Sequence, residues 1–560
     1  MSISKNCIEC IGAVLLVLVW YILQFNTWDG TYIDTDNYFH ALRLTQWFNN
    51  PSFFEQKMDW SNYPFGEVSH WTRFFYVIWG ILSLPFLFWY PVKIAIFYAG
   101  MLVCPVFCCL GIVFLLKALQ SVFSLKFRWL VIILLGVQAN FWRNLLLSRP
   151  DHHALFVCLS AVLFYLVTRF VIKKDEKTLR LIAFSLSVGL WVAVEGVFLF
   201  IAFMIFLVGM YLFLEYKFEW IKDFLLRYAL GCSVCWLINP CYEGWFYIDT
   251  GRLSILYVIV AWCFYLCSIL AFRFERKWVR VSVLGGLGVV ALLVLYALGW
   301  LKSPVDDRLV SIFINRITEM EKINIYTGAY PLLGIVCGAM ICCRHKNDEV
   351  FWYLFISLIL FGVLSLFGVR FLAYSGLYGA IIAILFLEDR SNDKKKIWNF
   401  ALFFVLLEYI SFVVNVMFLG AQLINPTVVS ANDVVTLDFN KFKTLGKGSV
   451  VSDTFFAPYI VWYTNRAVVA SPYHRNVEGI IDNHNILFSS DEEEVIKLIK
   501  KHNVGVVYLT EVSGDFYKEP LKNCDKLYGK ILGCKNYPSW LKPVNDSNGD
   551  LFEIDYSKID

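Results

Sequence analysis

Apolar runs, each long enough to carry a helix through roughly 30 Å of hydrocarbon, recur from Ile8 to about Leu419 and alternate with short polar connections. Fourteen candidates start near residues 8, 74, 94, 128, 153, 180, 195, 225, 255, 281, 327, 350, 371 and 399. The first has one basic residue ahead of it and no small-residue cleavage site behind it, so it reads as a retained signal anchor. Beyond Asn425 the pattern changes to that of an ordinary soluble unit of about 135 residues. There Ser490-Asp491-Glu492-Glu493 reads as a capping box opening an amphipathic helix with Val495, Ile496, Leu498 and Ile499 on one face. A β-branched strand at Val504–Leu509 and an earlier one near Val450 complete the outline of a small α/β domain. No internal repeat and no low-complexity linker interrupts the chain.

Charge decides which runs cross. Basic residues collect in alternate connections: at Lys5, around Lys117 to Arg128, Lys173 to Arg180, Lys217 and Lys222, Arg273 to Arg280, Arg344 and Lys346, and Arg390 to Lys396. These hold 20 Lys and Arg residues, and the intervening short loops hold only 8. Short cytoplasmic loops carry the excess of Lys and Arg, so the first set is expected inside. With Lys5 also inside, Phe74–Tyr90 cannot span and is expected to lie on the outer face as a hydrophobic hairpin or helix. Thirteen spans follow, with the amino terminus cytoplasmic and the carboxyl terminus outside. The expected division is a transmembrane domain over 1–425, with a large first external loop at 26–93, and an extracytoplasmic α/β domain over 426–560.

Composition agrees. Hydrophobic residues make up 59% and charged residues 17% of the 560, and mean hydropathy is +0.60. Soluble domains run near half apolar and a quarter charged, so a soluble enzyme, a disordered scaffold and a nucleic-acid binder are excluded. The net charge of +4 is scattered and forms no basic stripe. Fourteen of the 16 cysteines lie in or beside apolar runs, where a thiol behaves as a small hydrophobe. Cys232 and Cys235 share a CxxC spacing inside such a run and are read as packing. Cys524 and Cys534 lie in polar sequence and allow at most one bridge.

Ionisable groups near a membrane core are costly, about 2.5–3.5 kcal/mol each at a helix centre, so their positions are informative. The topology places Asp34 and Asp36, Arg149-Pro150-Asp151-His152-His153, Glu195, Glu319, Glu321 and Arg370 all at outer helix ends. Carboxylates with an imidazole at an aqueous edge suit a divalent cation, Mg²⁺ or Mn²⁺, with the histidine tilting toward Mn²⁺. The Asp-x-His step brings Asp151 and His153 within reach of one ion, completed by a carboxylate of the first loop. Asp34 and Asp36 both fit that role. Asp151 equally suits the N-cap of the following helix.

The arrangement resembles the catalytic subunit of oligosaccharyltransferases, of the C-type glycosyltransferase superfamily. Asp36-Asn37-Tyr38-Phe39-His40, followed by Arg43, is similar to the first-loop acidic motif of that family. Asn62-Tyr63-Pro64-Phe65-Gly66 with His70-Trp71 is similar to the later signature of the same loop. Asp151-His152-His153 is similar to the second acidic motif in its DxH form. Arg316-Ile317-Thr318-Glu319 is close to the TIxE-type motif, and Val369-Arg370-Phe371 fits the arginine that holds the donor phosphate. One element departs. Where a WWDYG motif that grips the Ser/Thr of an asparagine sequon belongs, the chain reads Ser452-Asp453-Thr454-Phe455-Phe456-Ala457-Pro458-Tyr459. Nearby stands the polar cluster Ser471-Pro472-Tyr473-His474-Arg475-Asn476.

The resemblance implies a membrane glycosyltransferase that moves a sugar or glycan from a polyprenyl-phosphate or pyrophosphate donor to a protein, lipid or glycan acceptor. It implies Asp36, Asp151 and Glu319 as catalytic groups, and Asp36 (or Asp34), Asp151 and His153 as ligands of Mn²⁺ or Mg²⁺. Arg370 is implied at the donor phosphate, while His152, Glu195, Trp71, Tyr473, His474 and Arg475 are possible substrate contacts. The expected location is a cell (inner) membrane, with the carboxy-terminal domain periplasmic or extracellular. The alternatives are a protein O-mannosyltransferase-like or lipid A-modifying enzyme of the same superfamily and, from another class, a transporter or flippase of lipid-linked glycans. Transporters usually show repeats and midplane polar sites, which this sequence lacks.

Overall fold

The computed structural model describes residues 5–136, 138–314, 325–390, 441–442, 445–509, 523–544 and 551–559. Thirteen of the fourteen apolar candidates coincide with helices, and the one near 399 lies outside the described residues. Seven helices among the described residues are long and apolar enough to cross a membrane: Lys5–Asn26, Val92–Val122, His152–Lys173, Gly196–Phe213, Ile255–Phe272, Lys277–Ala297 and Val369–Asp389. Others are shorter or more charged, such as Glu176–Val192, Phe218–Ile238 and Glu349–Ser365. Side chains such as Leu16, Phe213, Leu293 and Tyr296 are exposed on these helices. An outward apolar surface of this kind needs hydrocarbon around it, since water would penalise it.

Phe74–Ser83 continues as a 3₁₀ turn, Leu84–Phe88, with Pro85 at its start. At about 1.5 Å per helical residue this segment is too short to cross, and it leaves Ile81, Phe88 and Trp89 exposed. Its inner face buries Trp79, whose indole N–H donates to the Ile96 carbonyl at 2.9 Å.

The polar ends of the helices segregate. At one end, Glu9 pairs with Arg128 at 2.7 Å, and Lys174 pairs with Glu349. At the other end lie Asp34, Asp151 and Glu195, each at the opposite terminus of a helix or pair of helices from those ion pairs. Helix crossings are close where small residues meet: a Cβ on Gly334 would lie 2.7 Å from the Cα of Gly379. The break between Glu176–Val192 and Gly196–Phe213 is tighter still, because a Cβ on Gly196 would lie 2.3 Å from the carbonyl carbon of Gly189.

After the membrane part, a four-stranded sheet has the order β3 (Ser449–Val451), β4 (Val504–Tyr508), β6 (Leu551–Ile554), β5 (Leu541–Pro543). The β3–β4 pair is parallel, with Val450 opposite Val506. The other pairs are antiparallel, with Val507 opposite Phe552 and Lys542 opposite Glu553. The amphipathic helix is Glu492–Lys501, and Val495, Leu498 and Ile499 pack it on the sheet. Its cap is Asp491 rather than Ser490, because the Asp491 carboxylate reaches two backbone N–H groups, of Glu493 and Glu494. A disulfide joins Cys524 and Cys534.

The first loop is clasped to this unit. Its two-stranded hairpin, β1 (Lys57–Met58) with β2 (Glu67–Val68), presents a tip that exchanges backbone hydrogen bonds with Val468: Val468 N–H to Trp60 O, and Tyr63 N–H to Val468 O. His502 binds the Tyr63 carbonyl through Nδ1 and Asp482 through Nε2, at 2.6 and 2.7 Å.

Gly196→Ala is expected to destabilise the protein by about 1–3 kcal/mol, because backbone rather than a movable side chain occupies the space. Gly209→Ala, on the same helix with nothing within 4 Å of its Cβ position, serves as the control. Thermal unfolding in detergent checks the pair, and equal midpoints would contradict this account of the break.

Candidate functional site

Two acidic segments from distant parts of the chain are joined at helix starts. Asp34 caps the helix Thr35–Asn49 in a reciprocal capping box with Asn37. The Asn37 side-chain amide donates to the Pro150 carbonyl at 3.3 Å, and Ile33 N–H donates to the Ser148 carbonyl at 3.1 Å. Those bonds hold the first loop against Arg149-Pro150-Asp151. Arg149 lies between, with Nε 3.2 Å from Asp34 and Nη2 3.8 Å from Asp151. Asp151 caps His152–Lys173 by accepting from His153 N–H, so the capping role anticipated for it is real. Its same oxygen also lies 2.6 Å from Nδ1 of His152.

A cavity of about 440 Å³ opens above these termini. Asp34, Asp36, Trp71, Asp151, His152, His153, Glu195, Arg370, Tyr473 and His474 all line it, so the structure gathers nearly all the candidate residues on one wall system. Arg475 turns aside to pair with Asp249. Glu319 and the rest of its motif lie outside the described residues.

Around Asp151 the tightest set of possible metal ligands is His40, Asp151 and His152, whose donor atoms all lie within 4.8 Å of one another. The sequence had grouped Asp36, Asp151 and His153. Asp36 instead accepts a hydrogen bond from the Tyr473 hydroxyl at 2.6 Å, and Asp34 is engaged as cap and partner of Arg149. His153 lines the cavity with its ring stacked 4.3 Å from His152. His40 stands four residues after Asp36, so both lie on one helix face; that spacing was the available signal, and it was not used. The Nδ1 of His40 is held by the Tyr76 hydroxyl at 2.5 Å, a partner of the kind that orients a ligating imidazole. The three donors therefore fit a divalent ion.

Electrostatics follows burial and partners. Burial pushes the His40 imidazole down to about 3, against the pull of Asp151, so it is neutral near pH 7. Burial would raise Asp151, but His152, His153 and Arg149 hold it well below the usual carboxylate range. Burial would also raise Glu195, and Arg370, at 3.1 Å, brings it below its ordinary value. Arg370 sits in a single 3₁₀ turn, Val369–Phe371, with its guanidinium over the Phe371 ring. Trp71 packs between His40 and Tyr473, with ring centroids 4.6 and 4.5 Å away. Arg143, Arg149, Arg252 and His70 also line the cavity and were not singled out as site residues from the sequence.

Long apolar helices with a polar cavity at one end define an integral membrane protein with an enzyme-like pocket. Comparison with solved structures gives the architecture a closer definition. The archaeal oligosaccharyltransferase AglB from Archaeoglobus fulgidus, in complex with an inhibitory peptide and a dolichol-phosphate, matches with a TM-score of 0.63 and 13% identity, over 90% of this chain and 69% of that one. The A. fulgidus enzyme tethered with an acceptor peptide containing the NVT sequon matches with a TM-score of 0.61 and 13% identity, over 98% and 74%. The same enzyme in complex with Zn and sulfate gives a TM-score of 0.59 and 15% identity, over 89% and 67%. The chain has the fold of the oligosaccharyltransferase catalytic subunit, at a divergence that leaves little sequence in common. No protein-family model matches it, and no curated protein matches it in sequence.

Glu67 ties this site to the carboxy-terminal unit. It is buried, accepts from Ser61 at 2.6 Å and from Ser471, and burial raises it from 4.5 to about 7. Between those values the unfolded chain ionises while the folded protein keeps the proton, so stability falls as pH rises through the window and the loss is complete above it. Relative to wild type, Glu67→Gln is expected to gain up to about 3 kcal/mol between about pH 5 and pH 8. Thermal midpoints measured across that range check it, and a gap independent of pH would contradict it.

Proposed function

We propose that the protein is a membrane glycosyltransferase that transfers a sugar or glycan from a polyprenyl-phosphate-linked donor to an acceptor at the outer face of a cell membrane. The observation that carries this reading is the common cavity of Asp36, Asp151, His152 and Arg370 within an oligosaccharyltransferase fold. The chain is read with thirteen spans, a cytoplasmic amino terminus and a carboxy-terminal domain outside the cytoplasm. The Cys524–Cys534 disulfide supports that placement, because such bonds persist in oxidising compartments.

Transfer breaks the bond between the anomeric carbon and the phosphate oxygen, and forms one to the acceptor atom, which gives up its proton. Negative charge grows on the leaving phosphate. Arg370 meets it with a fixed cation whose Nε has no partner among the described residues, an arrangement that stabilises developing charge without reorganisation. Asp36, oriented by the Tyr473 hydroxyl, orients or deprotonates the acceptor. Glu319 is retained as a second acid for that task. A divalent ion, Mn²⁺ ahead of Mg²⁺, supplies Lewis-acid charge when bound. Asp151 would be its carboxylate ligand, with His40 and His152 as the imidazoles nearest to Asp151. Asp36 and His153 remain ligand candidates on the cavity wall, with Asp34 as the alternative.

The acceptor is read as other than an asparagine sequon. Where the sequon-gripping motif belongs, Phe455 and Tyr459 line the cavity, while Ser452, Asp453 and Thr454 are buried in the domain. Glycan or lipid acceptors fit an aromatic wall of this kind. The same observation favours the lipid-modifying relatives of the superfamily as the second reading.

Release of labelled sugar from polyprenyl-phosphate glycans in membranes tests the reaction. Wild type should require Mn²⁺ or Mg²⁺, Asp151→Ala should lose both turnover and Mn²⁺ binding, and Arg370→Gln should lose about 10²–10³-fold in turnover with Mn²⁺ binding intact. Metal-independent turnover, or equal rates in the three proteins, would overturn the assignment.

A further inference from the structure

One end of the cavity carries N–H donor groups, one of them a guanidinium, that the transfer chemistry leaves unused. Arg252 is only 1% exposed, yet it lines the cavity. Its Nη1 lies 3.4 Å from the Ser69 carbonyl and 3.5 Å from Glu55, while Nε and Nη2 have no hydrogen-bond partner among the described residues. These two nitrogens form one edge of the guanidinium, the fork that matches two oxygens of a carboxylate or phosphate. Beside Ser69, the His70 ring stands 4.5 Å from that of His474, and both line the cavity. Nδ1 of His70 and Nε2 of His474 are also buried without partners among the described residues.

The charge behind this end is unbalanced. Arg43, Arg73 and Arg252 converge on the single carboxylate of Glu55. Arg475 is matched one to one by Asp249, whose Oδ1 also accepts from Gly251 N–H. Burial keeps His70 well below its ordinary value and His474 at about 4, so neither adds charge near pH 7, but each is able to donate an N–H. Three buried guanidiniums, Arg43, Arg73 and Arg252, sharing the one carboxylate of Glu55 is a costly state. An arriving oxyanion would relieve it.

We infer that Arg252, with His70 and His474, forms a second oxyanion subsite, separate from Arg370, that binds a phosphate or carboxylate group of the acceptor. This rests on reading the cavity as a transferase site, and it adds the chemical class of the second substrate: an acidic glycan or a phosphate-bearing lipid in preference to a neutral one. Arg370 has its own carboxylate partner in Glu195 on another element, so the two guanidiniums are built as independent sites.

The test uses the full chain purified in detergent, with farnesyl phosphate at saturation as a donor mimic and radiolabelled inorganic phosphate as the probe. Wild type should bind inorganic phosphate with farnesyl phosphate in place, and Arg252→Gln should weaken that binding about 10- to 100-fold. Arg252→Lys, which keeps the charge and loses the fork, should fall in the same direction. His474→Ala provides a second variant if the arginine replacements unfold, and it too should weaken phosphate without weakening farnesyl phosphate. Displacement of inorganic phosphate by farnesyl phosphate in wild type would assign the anion to the donor and overturn the inference, as would unchanged phosphate binding in folded variants. Failure of farnesyl phosphate to bind, with Arg252-dependent phosphate binding retained, would count against the donor chemistry and leave the subsite standing.

Discussion

The cavity depends on the meeting of two helix N-termini across Arg149. Each terminus carries partial positive charge from its unsatisfied N–H groups, and each is capped by an aspartate, Asp34 in one case and Asp151 in the other. Arg149 alone would not hold the termini in register. The Asn37 amide on the Pro150 carbonyl does so, because both groups are buried and neither has water to exchange for. The two acids are thereby held on one cavity wall at the edge of a hydrocarbon solvent that would expel either one alone.

From that junction outward, each layer is fixed by a bond to the next. Tyr76 orients His40 on the same helix as Asp36, and Tyr473 reaches Asp36 from the carboxy-terminal unit. The Ser471 hydroxyl anchors that reach by donating to Glu67 in the first loop. The carboxy-terminal unit is thus part of the cavity wall as well as a cover for it. The Tyr38–Tyr463 hydroxyl contact at 2.9 Å and the backbone exchange at Val468 make the same join elsewhere along the interface. A soluble unit bound through buried polar groups of the first loop has a defined pose, which a hydrophobic contact alone would fix less well.

Much of this was legible in sequence for identifiable reasons. Apolar length and alternating basic loops are properties of the bilayer as solvent, and they need no tertiary knowledge. Charge parity made Phe74–Tyr90 a segment that does not span, and the helix that forms there, Phe74–Phe88, is too short to cross. The cap at Asp491 was missed by one residue, because a carboxylate outcompetes a serine hydroxyl for two N–H groups at once. The pairing of His40 with Asp151 required knowing that the first loop folds back on Pro150, a contact between residues more than a hundred positions apart. Arg252 was harder still. In sequence it is one more arginine in an outer loop, and only the shared carboxylate of Glu55 gives it a buried position.

The same reasoning bears on why the sequon motif is absent without the fold being lost. Residues 452–459 still supply a helix start at Ala457 and the packing of Phe456 and Tyr459 against the membrane part. The scaffold there is held by apolar contacts, which tolerate exchange of one aromatic residue for another. At this position Phe455 and Tyr459 line the cavity, and the buried Asp453 accepts from Phe455 N–H. His70, His474 and Arg252 line the same cavity and offer N–H groups to it. On the reading proposed above, a wall that offers guanidinium and imidazole N–H groups to its second substrate would select that substrate by charge.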